Sequence, residues 1–293
     1  MIRDFIYAKA KTLEDALGLI DEHKEDYKVI CGGQSLLILM RQGLVAPEYL
    51  IDIKSVDELD YIRFDEKEGL RIGATTTHRS IELSPILKEK YPVLVSMEEN
   101  LASLQTRNWG TIGGNLCHGD PAGDPGPVFM ALNGSIKIMS KQKARTLSLD
   151  EFFIDYFETA LEDGELLCEV QLPPVPLHTA VAYEKFNIIK NDQGIVSVAA
   201  AISMEKDGLS CKDARVVLGA AAPAPMRARE TEKLLIGAKL EKSLLEKAGE
   251  TASREADPVP DVHASEAYRR HLVRSLTKKM VKKAWEDAKA LVK

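Results

Sequence analysis

The chain has 293 residues, enough for two or three compact units with sizeable cores. Hydrophobic residues make up 45% and charged residues 29%, an ordinary soluble balance, and a net charge of −6 gives no global basic field for nucleic acid. The N-terminal stretch MIRDFIYAKAKTLEDAL has no apolar signal core and no segment approaches a membrane span, so a cytoplasmic location without an integral membrane segment is expected.

Taken in chain order, Thr12 precedes Leu13, Ala16, Leu17 and Ile20, which reads as a capped amphipathic helix with Asp15 in the capping-box position. YKVI is a short strand, CGGQS a turn, Leu36–Met40 a helix and Leu50–Ile53 a second strand. A first β-α-β unit therefore spans 1–55. In the second unit, 56–176, LRIGATTTH reads as a strand and Arg79 to Ala102 as helix interrupted by Pro85 and Pro92. A glycine-rich loop follows, then a helix end at VFMALNG, a strand at SIKIM and an aromatic segment DEFFIDYF. LLCEVQLP is a strand stopped by PPVP. In the third unit, 177–293, AVAYEKFNII, IVSVAAAISM and ARVVLGAA predict an antiparallel meander, and the chain from Met226 onward predicts helices. The final helix carries Arg269, Arg270, Arg274, Lys278, Lys279, Lys282 and Lys283 opposite Leu272, Leu276 and Met280. It reads as the solvated outer face of a packed helix, with membrane or acidic-partner binding as the alternative.

Four cysteines, Cys31, Cys117, Cys168 and Cys211, include no C-x-x-C pair. Iron–sulfur and zinc sites need closely spaced thiolates, so no metal site is expected, nor a disulfide framework.

Two stretches carry candidate chemistry: ICGGQS (Ile30–Ser35) and GTIGGN (Gly110–Asn115). Gly-Gly permits positive φ and close approach of a ligand. Successive amides in such turns bind anions, and the first turn also faces a helix start, with Ser35 as a hydroxyl donor. Either stretch alone is more often a tight turn than a nucleotide site. Neither is a G-x-G-x-x-G fingerprint or a P-loop. Asp124 stands where it either caps the helix DPGPVFMAL or accepts a hydrogen bond from a cofactor. His118 is either catalytic or structural.

CGGQSLL with APEYLIDI, then TRNWGTIGGN with HGDPAGD, resembles the FAD-binding medium subunit of the molybdenum hydroxylases, the family of xanthine dehydrogenase and carbon monoxide dehydrogenase. The usual family forms are A-G-G-x-S and T-I-G-G-N, and the similarity extends to ASEAYRR near the C-terminus. Cys31 stands where alanine is usual and Gln34 where histidine is common. The cysteine-rich insertion of some relatives is absent.

The resemblance implies an α+β chain: an FAD-binding fold of the vanillyl-alcohol-oxidase type, with two subdomains, followed by an antiparallel sheet with helices. It implies that Cys31, Gly32, Gly33, Gln34 and Ser35 cradle the FAD pyrophosphate. Thr111, Ile112, Gly113, Gly114 and Asn115 would meet the cofactor from the other side. Asp124 would lie near the flavin, Leu167 would line the flavin or adenine pocket, and Lys185 would reach the isoalloxazine edge. An exposed strand lysine is the alternative for Lys185. The implied partners are a large molybdopterin subunit and a small [2Fe–2S] subunit in a heterotrimer, with NAD, a quinone or oxygen as electron acceptor. A stand-alone flavin oxidase or reductase and a nucleotide-binding scaffold are the competing readings.

Overall fold

The computed structural model describes residues 2–24 and 26–292. The first sheet is parallel, with β3 (Tyr49–Asp52) between β1 (Ile6–Lys9) and β2 (Tyr27–Ile30). Parallel strands need crossover connections. These are α1 (Leu13–Glu22) and α2 (Leu36–Gln42). Thr12 caps α1 by accepting the Asp15 amide, and Asp15 accepts the amide of Lys11, one residue before the cap. Ala16, Leu17 and Ile20 form the buried stripe that their spacing predicts.

The second sheet is antiparallel. Its order is β4 (Ile62–Asp65), β5 (Gly69–Gly73), β10 (Leu166–Leu172), β6 (Ser135–Met139) and β7 (Ala144–Ser148). The expected strand LRIGATTTH ends at Gly73. Ala74–Thr77 forms a turn, and His78 opens α3 (His78–Leu83) under a Thr77 cap. Pro85 and Pro92 do not interrupt one helix. They occupy the first turns of α4 (Pro85–Lys90) and α5 (Pro92–Glu99), where a missing N–H costs nothing. Then come α6 (Leu104–Trp109), α7 (Ile112–His118), α8 (Pro125–Ala131), α9 (Leu149–Phe152) and the small pair β8 (Phe153–Asp155) and β9 (Glu158–Thr159).

The register of β10 against β6 shifts between Leu167 and Glu169. This bulge exchanges the faces taken by odd and even positions. Leu166 and Cys168 enter the core beneath the first sheet with Ile51 and Leu59. Leu167, Val170 and Leu172 enter the central core with Ile112 and Leu116. One strand thereby ties two cores together.

The third sheet is an antiparallel meander of β11 (Thr179–Phe186), β12 (Val196–Met204), β13 (Cys211–Gly219) and β14 (Met226–Arg227). Met226 lies in this short strand and not in a helix; the helices begin with α10 (Arg229–Leu235), followed by α11 (Lys242–Glu255) and α12 (Glu266–Ala290). Every residue of β12 is buried because both faces are covered. Ala199 and Ala201 face the central core, whereas Val198, Ala200 and Ile202 face the core under α12.

Several basic residues of α12 hold it to its neighbours, whereas Lys282 and Lys283 pair with Glu286 and Asp287 of the same helix on its outer face. Arg269 is buried and donates to the carbonyls of Ile195 and Ala220 and to Asp261. Arg274 and Lys278 pair with Glu246 of α11, and Lys279 pairs with Glu184 of β11.

Candidate functional site

The fold brings the two glycine stretches together. A Cβ on Gly32 would lie 2.6 Å from the Trp109 carbonyl oxygen and 2.7 Å from the Gly110 Cα. The first turn is therefore pressed backbone to backbone on the start of the second stretch, which only glycine allows. Gly33 takes φ +69°, the left-handed region. The amides of Gly32, Gly33, Gln34, Ser35 and Leu36 meet no acceptor among the described residues. Such a run of unpaired N–H groups is an anion-binding nest. Gln34 fastens the turn by donating its Nε2 to the Gly32 carbonyl at 3.0 Å. Ser35 makes no side-chain cap bond to α2, so its hydroxyl is available. Burial raises the Cys31 thiol, and it pushes Cys117 and Cys168 up to about 12, so these cysteines are neutral packing groups.

The second stretch is a helix start, not a loop. Thr111 caps α7, its Oγ1 accepting the Gly114 amide at 3.2 Å. Ile112 donates to Thr76, Gly113 to Ala74 and Asn115 to Thr111, at 3.0, 2.9 and 2.9 Å. The amides of Ile112 to Asn115 are thus spent within the protein. The outer surface of this glycine backbone is available to a ligand, but its N–H groups are not. Gly113 answers a packing demand, because a Cβ there would lie 2.7 Å from both the Cβ and the carbonyl oxygen of Ala74. Thr111 and Ile112 are buried with it, whereas Gly114 faces outward, with Thr111 Oγ1 at 2.9 Å as the one atom a Cβ would meet. Asn115 beside it is half-buried.

Asp124 does not cap α8. Its backbone is helical, at φ −64° and ψ −39°, and its side chain makes no cap bond. The buried carboxylate instead accepts the Tyr183 hydroxyl and the Lys185 ammonium, the latter at 2.7 Å, both from β11. Burial raises the Asp124 carboxyl, with Lys185 and Tyr183 working against it. Burial and the Asp124 charge hold the Tyr183 hydroxyl well above its ordinary range. Lys185 is not an exposed strand lysine, since its side chain is 5% exposed and is paired. Leu167 lies in the central core beneath α7 and presents no open surface. His118 packs against the Phe157 ring at 5.1 Å.

One pair at this site has no clear sequence signal. His78 Nδ1 lies 3.0 Å from both carboxylate oxygens of the wholly buried Glu98. Burial raises Glu98, while His78 opposes the shift and Asp124 reinforces it. The single available hint was a glutamate at a core-facing position of α5, next to Met97.

The residues fit a large anionic cofactor. Among the described residues the nest amides have no acceptor, the outward side of Gly114 meets only Thr111 Oγ1, and Thr75 Oγ1, in the turn that holds α7, is buried without a partner. Among the described residues, no helix is long and apolar enough to cross a membrane, and no group of His, Cys, Asp and Glu could hold a metal ion.

Residues 3–175 match the family described as the FAD binding domain in molybdopterin dehydrogenase, and residues 181–284 match the CO dehydrogenase flavoprotein C-terminal domain. The chain is 32% identical over 285 residues to the 6-hydroxypseudooxynicotine dehydrogenase complex subunit alpha of Paenarthrobacter nicotinovorans, covering 97% of this chain and 96% of that one. It is 33% identical over 279 residues to the glyceraldehyde dehydrogenase medium chain of Sulfolobus acidocaldarius, covering 95% and 98%. Its structure is similar to a chain of the carbon monoxide dehydrogenase of Hydrogenophaga pseudoflava, with a TM-score of 0.94 and 29% identity over 98% of this chain and 99% of that one. The fold is accordingly the FAD-binding fold of the vanillyl-alcohol-oxidase type, extended by an antiparallel sheet with helices. A nest of unpaired amides, a clear glycine face and these matches along almost the whole chain agree: it belongs to the FAD-binding medium subunits of the molybdenum hydroxylase family of oxidoreductases, and its cofactor is FAD.

Proposed function

We propose that this chain is the electron-output subunit of a heterotrimer. A large molybdopterin subunit oxidises the substrate, and a small subunit relays electrons through [2Fe–2S] clusters. This chain passes them to NAD, a quinone or oxygen. FAD, when bound, supplies the redox chemistry, and the protein positions and tunes it.

The observation that carries the reading is the run of unpaired amides from Gly32 to Leu36, pressed against the start of the second glycine stretch. In this reading Cys31 to Ser35 cradle the diphosphate. Gly114 and Asn115 form the opposing face, with Thr111, Ile112 and Gly113 as its foundation. Asp124 and Lys185 lie at the flavin end, where Lys185 holds a positive charge with Asp124 as its buried counter-ion, and Leu167 backs the pocket from the core. Residues 1–55 and 56–176 act as the FAD-binding subdomains and 177–293 as the closing domain. The breaks between sheets, at 52–62 and 172–179, support those boundaries.

Purified alone, the chain should be yellow, release FAD on heating and oxidise no organic substrate. Turnover of such a substrate by the isolated chain would defeat the subunit reading. A colourless chain that cannot be reconstituted with FAD would defeat the cofactor assignment as well.

A further inference from the structure

Lys54 follows β3, and its amide is held by Asp52 Oδ1 at 2.8 Å. Its ammonium lies 5.0 Å from the centroid of the Trp109 ring and donates to the Trp109 carbonyl at 3.2 Å. That carbonyl oxygen is the atom against which Gly32 is pressed. The lysine therefore stands at the seam of the two glycine stretches, beside the nest. Its charge reaches Cys31, where it opposes the burial that raises the thiol. The Trp109 carbonyl occupies one of its three N–H donors. The adjacent Asp52 is engaged by the Tyr7 hydroxyl and by the Lys54 amide. Trp109 is 57% exposed, so its indole holds the ammonium at the open edge of the cradle and not in the core.

We propose that Lys54 is a binding residue for the FAD diphosphate: its ammonium, resting on Trp109, closes the Gly32–Leu36 nest from the side of the second glycine stretch. The proposal rests on the reading that this nest holds the diphosphate. Backbone dipoles supply only partial charges there. A full charge beside them adds a charge-assisted hydrogen bond and draws the dianion from solution.

The test is a titration of the full-length apo chain with FAD, ADP and riboflavin at low and high salt. Lys54→Met should weaken FAD and ADP about tenfold, equivalent to about 1.4 kcal/mol. Riboflavin, which carries no phosphate, should bind as it does to the unmodified chain. Lys54→Arg should restore FAD binding, and the salt dependence of FAD affinity should flatten in Lys54→Met. Unchanged FAD affinity in Lys54→Met overturns the proposal. So does equal weakening of all three ligands with a lower melting temperature, which would make Lys54 only a brace for Trp109. Failure of the nest reading looks different. ADP would then not compete with FAD in the unmodified chain, and Gly33→Ala, which strains the +69° turn, would leave FAD affinity unchanged; the Lys54 proposal would fall with it.

Discussion

Asp124→Ala strands a buried cation. Lys185 Nζ lies 2.7 Å from Asp124 Oδ2, and the two side chains keep 5% and 8% of their exposure. An exposed pair of this kind contributes about 0–1 kcal/mol, but removing one partner of a buried pair costs about 3–5 kcal/mol because the other charge stays desolvated. The Tyr183 hydroxyl loses its acceptor in the same step, at roughly 1–3 kcal/mol. Relaxation of the site and entry of water offset part of the sum. The net expectation is about 4 kcal/mol, and at about 2–4 °C per kcal/mol for chains near this size the melting temperature falls by roughly 10 °C. Thermal and urea unfolding of the apo chain near neutral pH measure it. The double variant Asp124→Ala/Lys185→Met should recover more than half of the loss, since neither charge is then buried alone. A loss below about 1 kcal/mol, or a double variant no more stable than the single one, would refute the argument that these groups depend on each other.

Gly113→Ala should cost about 1–3 kcal/mol in denaturant unfolding, because the methyl would sit 2.7 Å from the Ala74 Cβ and carbonyl oxygen. Gly114→Val adds a Cβ that would meet only Thr111 Oγ1, at 2.9 Å, and so presses on the cap of α7. It should cost the apo chain no more than about 2 kcal/mol, the scale of a disturbed N-cap, yet abolish FAD binding, and an unchanged flavin titration would remove that face from the site. The last prediction concerns pH. Burial works to raise Asp261, but Arg269 and the amides of Ala264 and His263 prevail and hold it at about 2. A carboxyl depressed in the folded state stabilises above its unfolded value of 3.8, and that gain is lost as pH falls through about 2. Nearly half of the Asp261 side chain faces water, so the contribution is about 1 kcal/mol. Asp261→Asn should cost that much at neutral pH and only a small part of it near pH 2, and an equal loss at both would exclude ionisation as the cause.

Much of the architecture was legible because its causes are local. The Thr12 cap and the stripe Ala16, Leu17, Ile20 depend on neighbours within about one turn. The meander was readable from its turns, where Asn191 and Gly208 both take φ +66°. Gly33 announced a left-handed turn, and the two glycine stretches in order marked the family and with it the cofactor. Where local patterns allow two answers, partners distant in sequence choose between them. TTTH continues a β-rich run, but the Thr76 carbonyl accepts from Ile112 of α7 and the Thr77 carbonyl from Ile81 of α3, while the Thr75, Thr76 and His78 amides donate to the carbonyls of Leu59, Gly73 and Gly110. GTIGGN looks like a loop by composition, yet a Thr111 cap and the packing of Gly113 on Ala74 make it a helix start.

The sequence by itself determined which segments turn, which bury one face and which family the paired glycine motifs belong to, because backbone torsions and side-chain periodicity are set within a few residues. Only the tertiary structure decided what the polar groups of the site do. Asp124 became neither a cap nor a free ligand once Lys185, 61 positions away, reached it. Lys54 came to the seam of the two glycine stretches once Trp109, 55 positions away, met its ammonium. A buried or half-buried charge takes its role from the partner that replaces its water, and that partner is chosen by how distant strands and helices pack.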